Sequence, residues 1–213
     1  MRFRAPVLAF LLFLLFFPGA AQAQQTPAAA PLPVYNGDWW LSVSGWEQYG
    51  FLSGYEDCYA FEYRGSAAFT KEVQSYIDDL NKYFLADRAR RKETVSHALD
   101  VLRNAATDAS GAAGSAGAAS STHGGLDGRF WFDADPAAEL GFVEGYLACH
   151  TAKVKDADGK FSKPPAEYVD GINKAYGITD DTDDVDPEKA PIKIADALHK
   201  LKDEEAVPGK PGA

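Results

Sequence analysis

The sequence predicts an all-α fold made of two similar three-helix units, on three observations. First, residues 36–59 and 127–150 align without a gap at an offset of 91. Gly37, Trp40, Gly50, Phe51, Gly54, Tyr55 and Cys58 return as Gly128, Trp131, Gly141, Phe142, Gly145, Tyr146 and Cys149. The match resumes at offset 92 with Phe69/Phe161, Tyr76/Tyr168, Asp78/Asp170 and Asn81/Asn173, and again at offset 99 with Ala98-Leu99/Ala197-Leu198 and Leu102/Leu201. Chance would give roughly one or two identities in the first window at ordinary composition, so the pattern reads as a duplication. Second, a helix-start signal follows the same turn in each copy. Third, strand-like alternation of apolar and polar residues is scarce.

In chain order, Arg2 and Arg4 precede the apolar run Val7–Phe17, which ends at Pro18-Gly19 and is followed by Ala21-Gln22-Ala23. Residues 1–23 therefore read as a secretory signal peptide cut after Ala23, the run being too short for the roughly 20 residues of a membrane span. Residues 24–35 read as a disordered lead-in rich in Ala, Pro and Gln. Unit 1 (36–104) opens on the turn Asn36-Gly37. Ser44 with Glu47 makes a capping box for a first helix reaching about Tyr63. A second helix is expected over about Lys71–Leu85 and a third over about Glu93–Arg103. Residues 105–126, mostly Ala, Gly and Ser, read as a flexible linker.

Unit 2 (127–203) opens on Asp127-Gly128. It caps its first helix with Asp135 ahead of Pro136, a different solution to the same problem. Helices follow to about Lys155, over Pro165–Tyr176 and over Pro191–Lys202. Residues 204–213, with Pro208, Gly209, Pro211 and Gly212, read as a disordered tail. A unit of about 70 residues is small for an independent core. The two units are therefore expected to pack on each other about a pseudo-twofold axis.

The first helices carry the most specific pattern. Gly50, Gly54 and Cys58 fall at i, i+4 and i+8 and form one small-residue ridge, repeated by Gly141, Gly145 and Cys149. Two interior glycines per helix cost about 1 kcal/mol each against alanine. A neighbouring backbone passing close over that face is the reason the sequence suggests. Each unit has one cysteine, so none can form its own disulfide. Either Cys58 and Cys149 bond across the halves, or both are small buried residues completing their ridges.

Chemistry is hard to find. Adjacent helical residues point about 100° apart, so Cys149-His150 is no nucleophile–base pair. Glu56, Asp57 and Glu144 lie on the first helices, but their counterparts are Leu147, Ala148 and Ser53. Asp156–Gly159 resembles part of a calcium loop whose first and twelfth positions would be Val154 and Pro165, so it reads as a turn. His97, His123, His150 and His199 show no ligand spacing, and neither a metal site nor a cofactor is expected. The formal charge is −10, about −12 without Arg2 and Arg4, which disfavours nucleic acid. The candidate binding residues are Tyr55, Asp78, Asn81, Tyr146, Asp170 and Asn173, where the tyrosines of the first helix would meet the Asp/Asn turn of the second.

The second unit resembles a widespread group of exported bacterial proteins without assigned activity. The resemblance rests on Asp127-Gly128-x-Phe130-Trp131, Gly141-Phe142-x-x-Gly145-Tyr146, Tyr168-Val169-Asp170-x-x-Asn173 and Pro191-Ile192-x-Ile194-Ala195-x-Ala197-Leu198. It covers nearly all of unit 2 and most of unit 1, and implies a small secreted helical domain. The pattern around Gly141–Cys149 is also similar, more distantly, to the Tai-type periplasmic immunity proteins of type VI secretion, which block toxins by binding them. That likeness implies a protein partner. The expectation is a periplasmic or secreted non-enzymatic binding or inhibitory module. The alternatives are a periplasmic enzyme with a one-sided acid/His site, built from Glu144 and His150, and a structural envelope protein.

Overall fold

Both turns that open the repeated segments are fixed by their own side chains. Asn36 accepts a hydrogen bond from the Trp39 amide at 3.0 Å, and Asp127 accepts one from the Arg129 amide at 3.0 Å. These start short helices, α1 (Gly37–Trp40) and α5 (Gly128–Asp133). Ser44 then accepts from the Glu47 amide at 3.1 Å and Asp135 from the Ala137 amide at 2.9 Å, the two capping solutions read from the sequence. They start α2 (Gly45–Glu62) and α6 (Pro136–Lys153). The remaining helices are α3 (Val73–Ala86), α4 (Val95–Ala112), α7 (Pro165–Tyr176) and α8 (Ile194–Glu205), with a 3₁₀ turn at Arg90–Lys92. The computed structural model describes residues 34–62, 69–112, 125–153, 161–179 and 184–205. Among these the fold is all-α; the extended pairings are two isolated bridges, Asn36 with Thr94 and Asp127 with Lys193. No described helix is long and apolar enough to cross a membrane.

The centre of the fold is the packing of α2 on α6, within one compact body formed by the described residues. Both helices are buried on nearly all sides over Gly50–Cys58 and Gly141–Leu147. The glycines make the approach possible. A β-carbon on Gly50 would stand 2.7 Å from the carbonyl carbon of Ala138, and one on Gly54 would stand 2.7 Å from that of Phe142. Reciprocally, a β-carbon on Gly141 would meet the carbonyl carbon of Glu47 at 3.0 Å, and one on Gly145 that of Phe51 at 2.6 Å. The obstacle is backbone in all four cases, so no rotamer change relieves it. The notches thus face a neighbouring helix, as their spacing suggests.

Cys58 and Cys149 are bonded to each other, with Cα atoms 6.2 Å apart and a sequence separation of 91. Closing a loop of that length is worth about 4–5 kcal/mol in the chain-entropy account. Around this centre each half carries the same aromatic frame. Phe51 stacks on Tyr55 (6.3 Å) as Phe142 does on Tyr146 (6.5 Å). Phe69 meets Tyr76 edge-on at 5.4 Å, and Phe161 meets Tyr168 at 5.3 Å.

Several boundaries differ from the sequence reading. Tyr35, placed in the lead-in, is buried, and its carbonyl accepts from the Val95 amide at 2.9 Å. Helix α4 runs on to Ala112, into the expected linker, because alanine-rich sequence sustains a helix already nucleated. Gly125 and Leu126, also expected in the linker, are tied down by Asp57, whose carboxylate accepts from their amides at 2.7 and 3.3 Å. Helix α8 continues to Glu205. The signal peptide, residues 24–33 and 113–124, the Asp156–Gly159 turn and residues 206–213 lie outside the described residues.

Candidate functional site

Four of the six candidate binding residues have structural work. Tyr55 and Tyr146 are wholly buried and have no surface to offer a ligand. Asn81 accepts from the Trp40 indole N–H at 2.9 Å, and Asn173 accepts from that of Trp131 at 2.6 Å. A buried indole needs an acceptor, so each asparagine satisfies the tryptophan that pins α1 or α5 to the core. Asp78 and Asp170 are exposed. The expected groove therefore gives way to a packing arrangement: the shared polar residues serve the frame common to both halves.

The acids of the central helices are also interior. Glu144, buried, faces the Tyr35 hydroxyl; burial first, then the charge of Glu47, pushes its pKa up to about 8, against an opposing effect of Tyr35. Glu139 is pushed up to about 7, chiefly by burial, with Asn173 opposing and Asp135 adding. Burial likewise raises Asp57, although the Gly125 and Leu126 amides stabilise its charged form. Glu144 and His150 do not share a site: Glu144 interacts with Tyr35 and Glu47, whereas His150 faces Glu62 and His199.

The feature that stands apart lies where the C-terminal ends of α2 and α6 meet α4 on one side and α8 on the other. In the first corner, Asp100 of α4 is 2.8 Å from the Lys153 ammonium of α6 and 3.0 Å from the Arg103 guanidinium. Arg103 also donates to the Tyr59 hydroxyl at 3.1 Å and lies over the rings of Tyr59 and Phe69, at 4.5 and 5.1 Å. One carboxylate there is thus paired with two cations.

At the repeat-equivalent positions of the second corner the residues are different: Glu62 for Lys153, His150 for Tyr59, His199 for Asp100 and Lys202 for Arg103. The frame is kept. His150 meets Phe161 edge-on at 4.9 Å, as Tyr59 meets Phe69 at 5.7 Å, and Lys202 lies over Phe161 at 5.6 Å. The polar centre is not kept. Glu62 Oε1 stands 3.4 Å from His199 Nε2 and 3.9 Å from His150 Nε2, and one donor atom from each of the three residues lies within 4.8 Å of the others. His199 Nε2 is 3.1 Å from the Tyr146 hydroxyl, and its Nδ1 is 3.3 Å from Lys202 Nζ. Burial holds the His150 imidazole below its ordinary pKa, with the Glu62 carboxylate opposing, so burial favours its neutral form. His150 is 5% exposed, while the side chains of Glu62 and His199 keep 23% and 21% of their surface. The corner is therefore reachable from solvent at one side and closed at the other.

A search for local ligand spacing misses this cluster because its members come from three helices. The signal that finds it is the repeat itself. At offset 91 Glu62 replaces a lysine and His150 a tyrosine, and at offset 99 His199 replaces an aspartate. These positions change chemistry together on a frame that otherwise matches. In comparisons with known proteins, no family model, no curated protein and no solved structure matches the chain.

Proposed function

We propose that this chain is an exported, non-enzymatic binding module, duplicated from one helical unit, whose binding site is the corner formed by Glu62, His150 and His199. The observation that carries the reading is the contrast between the two corners. One is closed by the ion pairs of Lys153, Asp100 and Arg103; the equivalent one presents a carboxylate and two imidazoles with partial access to solvent. The reciprocal glycine contacts support duplication about a local twofold axis: Gly54 abuts Phe142 and Gly145 abuts Phe51, as self-complementary pairing demands. The Cys58–Cys149 bond supports an oxidising compartment, hence the periplasm or the exterior. Glu144 and His150 face different partners, so the one-sided acid/His site expected of an enzyme is not formed, which favours the binding reading.

The test is retention on immobilised protein. The oxidised chain is compared with a variant whose second corner copies the first: Glu62→Lys, His150→Tyr and His199→Asp. A ligand from the native envelope fraction held by the parent and lost by the copy supports the proposal. Equal retention, or none by the parent, contradicts it.

A further inference from the structure

We infer that Glu62, His150 and His199 bind one divalent transition-metal ion of the zinc class. The inference deepens the binding reading above by naming the ligand chemistry of the same corner. A tetrahedral zinc site has ligands about 2.0–2.1 Å from the ion, which puts its donor atoms roughly 3.4 Å apart. Glu62 Oε1 and His199 Nε2 already have that separation, and His150 Nε2 is 3.9 Å from the same oxygen. Small side-chain rotations close the set.

Three features favour a metal over a hydrogen-bonded cluster. Glu62 Oε1 is buried without a hydrogen-bond partner, and a carboxylate oxygen stripped of water calls for a cation. In the first corner that charge is supplied by Lys153 facing Asp100; in the second, Glu62 itself stands at the position equivalent to Lys153. Two imidazoles with one carboxylate also suit zinc and its neighbours, whereas calcium and magnesium take all-oxygen sets. The exposed side of Glu62 and His199 leaves a fourth position for water or for a group of a bound partner. The three ligands come from α2, α6 and α8, so the ion would tie α8 to the central pair. Two existing contacts must yield. The Tyr146 hydroxyl releases His199 Nε2, and the Lys202 ammonium, which an ion would repel, swings to solvent.

The experiment is calorimetric titration of Zn²⁺ into the oxidised, chelator-stripped chain, with thermal melts alongside. One ion per chain is expected, with a melting temperature that rises with zinc. Glu62→Gln, His150→Gln and His199→Gln should each weaken binding by more than the roughly hundredfold that losing an outer-shell partner can cost, and abolish the thermal shift. Lys202→Gln should bind more tightly than the parent. Metal-free circular dichroism separates loss of a ligand from loss of the fold, and a variant that misfolds is replaced by the Asn substitution at the same position. No saturable binding by the parent, or binding unchanged in all three variants, overturns the inference. It stands apart from the retention test: a protein retained while zinc fails to bind sinks the metal site alone, and zinc bound with nothing retained sinks the partner alone.

Discussion

The two corners differ in how they settle charge. In the first, Asp100 sits between Lys153 and Arg103, and every charged group has an opposite within 3.0 Å. In the second, Glu62 faces two imidazoles at 3.4 and 3.9 Å, and its buried oxygen has no hydrogen bond. The aromatic rings beneath them have the same partners in the same edge-on poses. The frame is thus what the halves share, and the arrangement of charge is what they do not.

Substitutions probe that division at four levels. The largest effect is expected at the shared centre. Replacing Cys58 and Cys149 with alanine should lower the unfolding free energy by about 4 kcal/mol in urea titration; a loss below about 1 kcal/mol would mean the bond adds little to the frame. Next come the glycines. Gly54→Ala and Gly145→Ala should each cost about 3 kcal/mol, because a β-carbon meets backbone. Costs that are large at one and small at the other would contradict an equally shared interface.

A smaller effect is expected at Glu144, which stands where the other half has Ser53. Its folded pKa, about 8, lies above the ordinary 4.5. Below pH 4.5 both folded and unfolded forms hold the proton and stability is complete. As pH rises toward 8 the unfolded form releases the proton more readily, so stability falls across that window. Glu144→Gln should flatten the profile and gain about 1–2 kcal/mol at pH 8, where the buried carboxyl of the parent resists ionisation. A profile unchanged by the substitution would remove Glu144 from the explanation.

The smallest stability effect is at the corners themselves. Asp100→Asn should cost about 1 kcal/mol, since the pairs it breaks are partly exposed. Glu62→Gln, in metal-free protein, should cost nothing measurable or stabilise slightly. Equal losses would show that both corners serve stability alone.

Much of the frame was legible in the sequence. The i, i+4, i+8 ridge of Gly50, Gly54 and Cys58 already required a close backbone, and the caps Ser44 and Asp135 gave the starts of α2 and α6. Helix α7 spans Pro165–Tyr176, as its periodicity suggested. The length of α4 was not legible, because its Ala-rich end has the composition of a linker, and composition does not say whether a helix has been nucleated upstream. The roles of Asn81 and Asn173 were hidden too. Each is shared by the two repeats, but the indole it satisfies lies in a different helix. The second corner was hardest to see, since the register of the repeat slides from 91 to 99 between the central helices and α8.

The account depends most on the second corner being a site and the first a scaffold. Anomalous scattering at the zinc absorption edge, from crystals of the oxidised chain grown with one equivalent of Zn²⁺, addresses this directly. The account predicts a single strong peak about 2.0–2.2 Å from Glu62 Oε1, His150 Nε2 and His199 Nε2, and none beside Lys153 and Asp100. A peak at any other position, or no ordered ion, would contradict it.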